Sequence, residues 1–166
     1  MPGQSHPRTE DIELVKNDVR IECLSAPELL IEHNIQRTII DFCERSQIWQ
    51  EDVGPIQVIA GIDTYEITAS RTERVVQVKN VYAENDSGDL VEFDYGQGLS
   101  SWSWYHDSPY NITVAPLEYL EGRQLIVVSA LTPQLYNGQF KFSRLLTDEY
   151  FDAIATGAKS RILAIP

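Results

Sequence analysis

The chain has 166 residues, 43% of them hydrophobic, enough to bury one ordinary core. Its 25 Asp and Glu against 13 Lys and Arg leave a formal charge of −12, which disfavours a general nucleic-acid-binding surface because such surfaces need a basic footprint. No apolar run approaches the roughly 18 to 20 residues needed to cross a bilayer, and the opening MPGQSHPRTEDIE lacks the charged start and apolar middle of a signal peptide, so a soluble protein made in a reducing cytoplasm is expected.

Between about Glu10 and Arg20, Ile12, Val15 and Val19 recur at helical spacing and predict a short amphipathic helix. Ser25-Ala26-Pro27-Glu28 then fits a capping box, with the serine oxygen accepting from the backbone amide three residues on, the glutamate reaching back, and Pro27 in the first turn where its missing amide costs nothing. The helix that follows carries Ile31, Ile35, Ile39, Phe42 and Cys43 on one apolar stripe beside the polar Glu32, Gln36 and Arg37. Cys43 on that stripe reads as a small hydrophobe: its neighbours Asp41 and Glu44 would raise a thiol pKa, the opposite of what a nucleophile needs. Trp49 packs where the helix ends, and Gly54-Pro55 redirects the chain. Cys23 and Cys43 match no metal-ligand spacing and make no disulfide framework.

From Pro55 to about Leu131 the pattern is extended. Ile56–Ala60 and Tyr65–Ile67 read as two short strands joined tightly around Gly61. Val75–Val78 with Val81 and Tyr82 gives a longer β-branched strand, and Asn85-Asp86-Ser87-Gly88 supplies turn chemistry before Leu90–Phe93. A further pair, Tyr110–Val114 and Gln124–Ser129, is joined through Pro116 and Gly122. Between these hairpins Tyr95 to Asp107 reads as an aromatic loop. In an extended conformation Trp102 and Trp104 share one face of it, and Ser103 and Tyr105 the other. Trp102, Trp104 and Tyr105 are therefore candidates for a partner contact or a sugar-binding array, against the plainer reading of an irregular strand covering its own core.

A closing helix is predicted from Thr147. Thr147 is its cap, Leu146 and Phe151 form a hydrophobic staple, and Phe151, Ile154, Ala155, Ala158 and Ile162 form its apolar face. The small Gly157-Ala158 pair allows another helix to approach closely. The apolar end of that helix, Ile162, Leu163 and Ile165, is expected to dock on a partner.

The expected architecture is a single α+β domain over 1–166, with a helical layer at 10–50 and 147–164 packed with a central antiparallel β region at 55–131, folded as a small sandwich or half-barrel. No catalytic constellation emerges. His6, His33 and His106 are scattered, His106-Asp107 is the one hint of a pair, no nucleophile elbow or metal spacing accompanies it, and Gly96-Gln97-Gly98 does not lead into a helix as a phosphate-cradling loop would. A non-enzymatic protein without metal or cofactor is expected.

Several of these features in their order resemble the head-to-tail connector, or adaptor, proteins of tailed bacteriophages. Ala26-Pro27 opens a helix ending in Phe42-Cys43-Glu44-Arg45-Ser46 and Trp49; Pro55-Ile56, Ala60-Gly61 and Tyr65 follow; Asp152-Ala153-Ile154, Gly157-Ala158 and Leu163 to Pro166 close the chain. The resemblance spans roughly residues 10 to 166 and rests on structural motifs. It implies a ring, usually of twelve copies, at the neck of the virion, bound to the portal protein on one side and to a tail nozzle, tail-tube or fibre protein on the other. Family members often continue past the closing helix into a portal-inserting segment, whereas this sequence reaches Pro166. The acidic excess suits the wall of a DNA conduit, which nucleic acid passes without sticking. The alternatives are a carbohydrate- or protein-binding β module of a tail or cell-surface assembly, using Trp102, Trp104 and Tyr105, and a hydrolase around His106 and Asp107.

Overall fold

Fourteen elements follow one another in the computed structural model, which describes residues 6–96 and 102–165. They are β1 (Arg8–Thr9), α1 (Glu13–Glu22), α2 (Glu28–Ser46), β2 (Gln50–Gln57), β3 (Thr64–Glu66), β4 (Glu73–Glu84), β5 (Leu90–Glu92), β6 (Asp94–Tyr95), β7 (Ser103–Ser108), β8 (Asn111–Ala115), β9 (Gln124–Pro133), β10 (Phe142–Ser143), α3 (Leu145–Glu149) and α4 (Phe151–Leu163), with a 3-10 turn at Leu117–Tyr119. The fold is α+β, with helices toward both ends and mainly antiparallel sheets between. Contacts divide the chain into two compact units: one made of Gln50–Ser70 and Val75–Leu131, the other of His6–Trp49, Arg71–Arg74 and the segment from Thr132 onward.

In the helical unit the periodic residues are buried as their spacing requires. Val15 and Val19 of α1, Ile31, Ile35, Ile39 and Cys43 of α2, and Ile154, Ala155 and Ala158 of α4 are all buried. The approach of α2 to α4 is set by a glycine: a Cβ on Gly157 would lie 2.7 Å from Cγ2 of Thr38, well inside carbon–carbon contact. Two short strands, β1 and β10, pair antiparallel through Arg8↔Ser143 and Thr9↔Phe142. Arg8 bonds to Glu73 and lies over the buried Trp49 ring at 4.9 Å.

The expected caps do not form. Pro27 is itself the N-cap of α2, with φ −59° and ψ 145° and no side-chain cap, so Ser25 closes no capping box. The reason is electrostatic. The carboxylate of Glu28 is turned to the cations of α1, with Oε1 3.0 Å from Lys16 Nζ and 2.6 Å from Arg20 Nη2, and does not reach back. Thr147 caps nothing either: it lies inside α3, and its hydroxyl donates to the Arg144 carbonyl at 3.0 Å. The chain leaves helical geometry at Tyr150, whose ring packs 5.3 Å from Phe42, and α4 starts only at Phe151.

The other unit holds two separate four-stranded sheets, ordered β2-β9-β4-β5 and β3-β8-β7-β6. Its β4–β5 hairpin is the one the turn residues predict. Asn85 Oδ1 accepts from the Ser87 and Asp89 amides at 2.9 Å, and Gly88 takes φ +84°. The other two expected pairs are not partners. Ile56 belongs to β2, which pairs with β9, whereas Tyr65 belongs to β3, which pairs with β8, so neither the Ile56–Ala60/Tyr65–Ile67 hairpin nor the Tyr110–Val114/Gln124–Ser129 pair exists. A tyrosine holds the corner where the chain leaves one sheet for the other. Tyr65 Oη accepts from the Ile59 amide at 2.9 Å and donates to the Ile62 carbonyl at 2.5 Å.

Gly54-Pro55 also sits otherwise than expected, within β2 and not before it. The register of β2 against β9 slips between Val53 and Ile56, and Gly54 has φ +135°, so the pair forms a bulge in an edge strand, where proline sacrifices no ladder bond. Strand structure accordingly begins at Gln50, five residues before the predicted start.

Candidate interaction surfaces

Of the predicted aromatic loop, Tyr95 ends β6, residues 97–101 lie outside the described residues, and the part from Ser103 to Asp107 belongs to strand β7. It pairs antiparallel with β8 and, over Asp94↔Ser103 and Tyr95↔Trp104, parallel with β6. Trp104 is 2% exposed, as is Ser103 on the opposite face, which removes Trp104 from any accessible partner surface and makes it part of the sheet core. Trp102 is half-buried, 5.3 Å from Phe93, with the Arg123 guanidinium 5.2 Å over its ring. Tyr105 is half-buried. The two tryptophans therefore do not form an open aromatic platform for a sugar ring. Tyr95 is the exposed ring of this group, edge-on to Trp104 at 4.9 Å and 5.6 Å from His106. His106 packs on these aromatics, and the Asp107 side chain of the suggested pair lies outside the described part of the structure.

Arg123 organises the neighbouring end of this unit. Its Nε donates to the Tyr119 carbonyl at 2.8 Å, Nη1 to the Glu84 carbonyl at 2.5 Å, and Nη2 to Asp86. Beside it lies an open cleft of about 600 Å³ lined by Asp52, Gly54, Glu84, Asn85, Arg123 and Gln124. Each nitrogen of the guanidinium thus donates to the protein, and the cleft lining holds no nucleophile with a base beside it. Among the described residues no group of three or more His, Cys, Asp or Glu is placed to hold a metal ion. Among the described residues no helix is long and apolar enough to cross a membrane.

Cys43 is fully buried. Burial, and secondarily the Glu44 carboxylate, push its thiol up to about 12, so the thiolate that a nucleophile requires does not form near neutral pH. The packing role predicted for it is the one observed.

At the closing helix the three candidate docking residues separate. Ile162 is 7% exposed, on the same helical face as the buried Ala158 and Ile154 one and two turns earlier; Leu163 and Ile165 are 66% and 51% exposed. Ile162 thus belongs to its own unit, and Leu163 and Ile165 alone remain open.

A larger open apolar surface was missed in the sequence. Leu14 and Ile21, seven residues apart and so on one face of α1, are 72% and 71% exposed; Leu24 and Leu29, at the turn into α2, are 87% and 81% exposed. The signal was present, because Leu14 and Ile21 form a second apolar row on a helix whose first row is Ile12, Val15 and Val19. Carboxylates surround this helix. Lys16 is shared by Glu13, Glu28 and Glu32, and Lys159 of α4 by Asp18 and Glu22 at 2.6 and 2.8 Å. These hydrogen bonds raise the pKa of both lysines, and the bond from Lys16 lowers that of Glu28.

No protein-family model matches the chain, and no curated protein matches it.

Proposed function

We propose that this chain is a structural, non-enzymatic virion protein of a phage neck, an adaptor that joins the portal to the tail as a ring around the DNA channel. The observation that carries the reading is a helical unit that packs its own core yet leaves large apolar side chains open on α1, at the α1–α2 turn and past α4. Surfaces of this kind suit a subunit whose contacts are completed by neighbours. Supporting it is the order of motifs resembling the connector family: Ala26-Pro27 at the start of α2, Trp49 at its exit, and Gly157-Ala158 where α4 meets α2. In a ring each modest contact is repeated by symmetry, so a stable collar needs no single large interface.

The partners are a portal protein, a tail nozzle or tail-tube protein, and further copies of this chain, about twelve if the ring follows the portal's symmetry. The charge of −12 per copy makes free copies repel, so assembly is strongest on a preformed template and is eased by salt. Native mass measurement of the protein alone, then with portal rings encoded in the same genome, tests this. A dilute monomer that becomes a multi-copy collar on the portal is expected. A chain that neither binds the portal nor changes its mass in its presence removes the neck assignment.

A further inference from the structure

We propose that neighbouring copies join head to tail through the helical unit, the outer face of α1 in one copy filling the groove between α2 and α4 in the next. This inference rests on the ring reading above and names its contact. The groove measures about 440 Å³ and is lined by Thr38, Phe42, Arg45, Ala153, Gly157 and Arg161, together with Asp41 and Ser46.

Position within the unit makes the two surfaces complementary ends. On α4 Lys159 reaches to α1 through Asp18 and Glu22, while Ala153, Gly157 and Arg161, spaced by four, line the groove. Residues 157 and 159 lie about 200° apart round the helix, so α1 and the groove occupy opposite sides of α4. A face on one side and a groove on the other are what a heterologous contact requires, and repetition of such a contact closes a ring when its rotation allows.

Shape and charge favour a second copy as the occupant. Ala153 carries only a methyl, so the α4 wall is low beside it, while Leu14 and Ile21 form a ridge with the exposed Asn17 between them. Within α1, Glu13, Asp18 and Glu22 outnumber Lys16 and Arg20, and Asp11 adjoins its start. In the groove Arg161 is paired with Asp41 of its own copy, and the exposed Arg45 supplies the excess of the opposite sign. In a chain with 25 acidic and 13 basic residues, a groove with more arginine than carboxylate is a specific place for an acidic helix to bind.

Complementation tests the proposal. Ile21→Asp spoils the ridge and Ala153→Trp fills the groove; both positions are exposed, and thermal unfolding verifies that each variant folds. Association is followed by sedimentation of concentrated full-length protein at about 0.5 M salt, where screening shortens charge repulsion to roughly 4 Å. Wild type is expected to form higher species and each variant alone to associate about tenfold or more weakly. An equimolar mixture is expected to stop at dimers, because the groove of the Ile21→Asp copy accepts the intact ridge of the Ala153→Trp copy while the other two surfaces are blocked. A wild type that stays monomeric, variants that associate like wild type, or a mixture that recovers no dimer overturns the proposal. Portal binding is scored separately. A wild-type chain that binds portal while the complementation fails keeps the neck reading and loses this interface, and self-association through these surfaces without portal binding does the reverse.

Discussion

The two units encode their structure at different ranges. In the helical unit, residues three and four apart carry the core, and Ile31, Ile35, Ile39 and Cys43 are buried as their spacing alone requires. In the sheet unit, alternation marks where strands run but leaves their partners open: β2 finds β9 about seventy residues later, and β3 finds β8 about forty-five residues later. A helix is thus specified by its own segment, whereas a strand pair is specified jointly by two segments and the corners between them. That difference also sorts the candidate surfaces. The aromatic segment, judged exposed from its loop-like surroundings, gains a partner on each side and is partly buried, while α1, judged from its inner row alone, shows a second row to solvent.

Three experiments sharpen this contrast. The largest effect is expected from Trp104→Ala, which empties a fully packed site in the sheet unit and should cost about 3 to 5 kcal/mol by chemical denaturation. A change below about 1 kcal/mol would instead favour the accessible partner contact that was the other reading of Trp104.

Gly157→Ala should cost about 1 to 3 kcal/mol, because the added methyl meets Thr38 Cγ2 at 2.7 Å and the helices must part. Thr38→Ser in the same chain removes that methyl while keeping a hydroxyl for the 2.7 Å bond to the Asn34 carbonyl, and should restore most of the loss. If the double variant is as unstable as the sum of its parts, the spacing of α2 and α4 is not set by this contact.

The smallest effect is expected from Ser25→Ala. A working capping box would lose about 0.5 to 2 kcal/mol, but Pro27 holds the N-cap position with no side-chain bond, so the melting midpoint should shift by less than the equivalent of about 0.5 kcal/mol. A loss of a full kcal/mol would show that the serine caps α2 after all.

By itself the sequence determined the α+β class, the inner rows of α1, α2 and α4, the β4–β5 turn through Asn85 and Gly88, and the inertness of Cys43, since each follows from periodicity or from chemistry within a few residues. Tertiary structure decided the rest. Glu28 is drawn from a local cap to Lys16 and Arg20 of another helix, Tyr65 bends the chain between sheets by binding Ile59 and Ile62, Gly54-Pro55 becomes a bulge because β9 lies beside it, and β6 and β8 turn an aromatic loop into a strand. Each of these outcomes depends on a partner distant in sequence. A carboxylate pairs with whichever cation or amide the fold brings nearest, and a strand's backbone groups are satisfied by whichever strand reaches them, so local pattern leaves several choices open and packing selects among them.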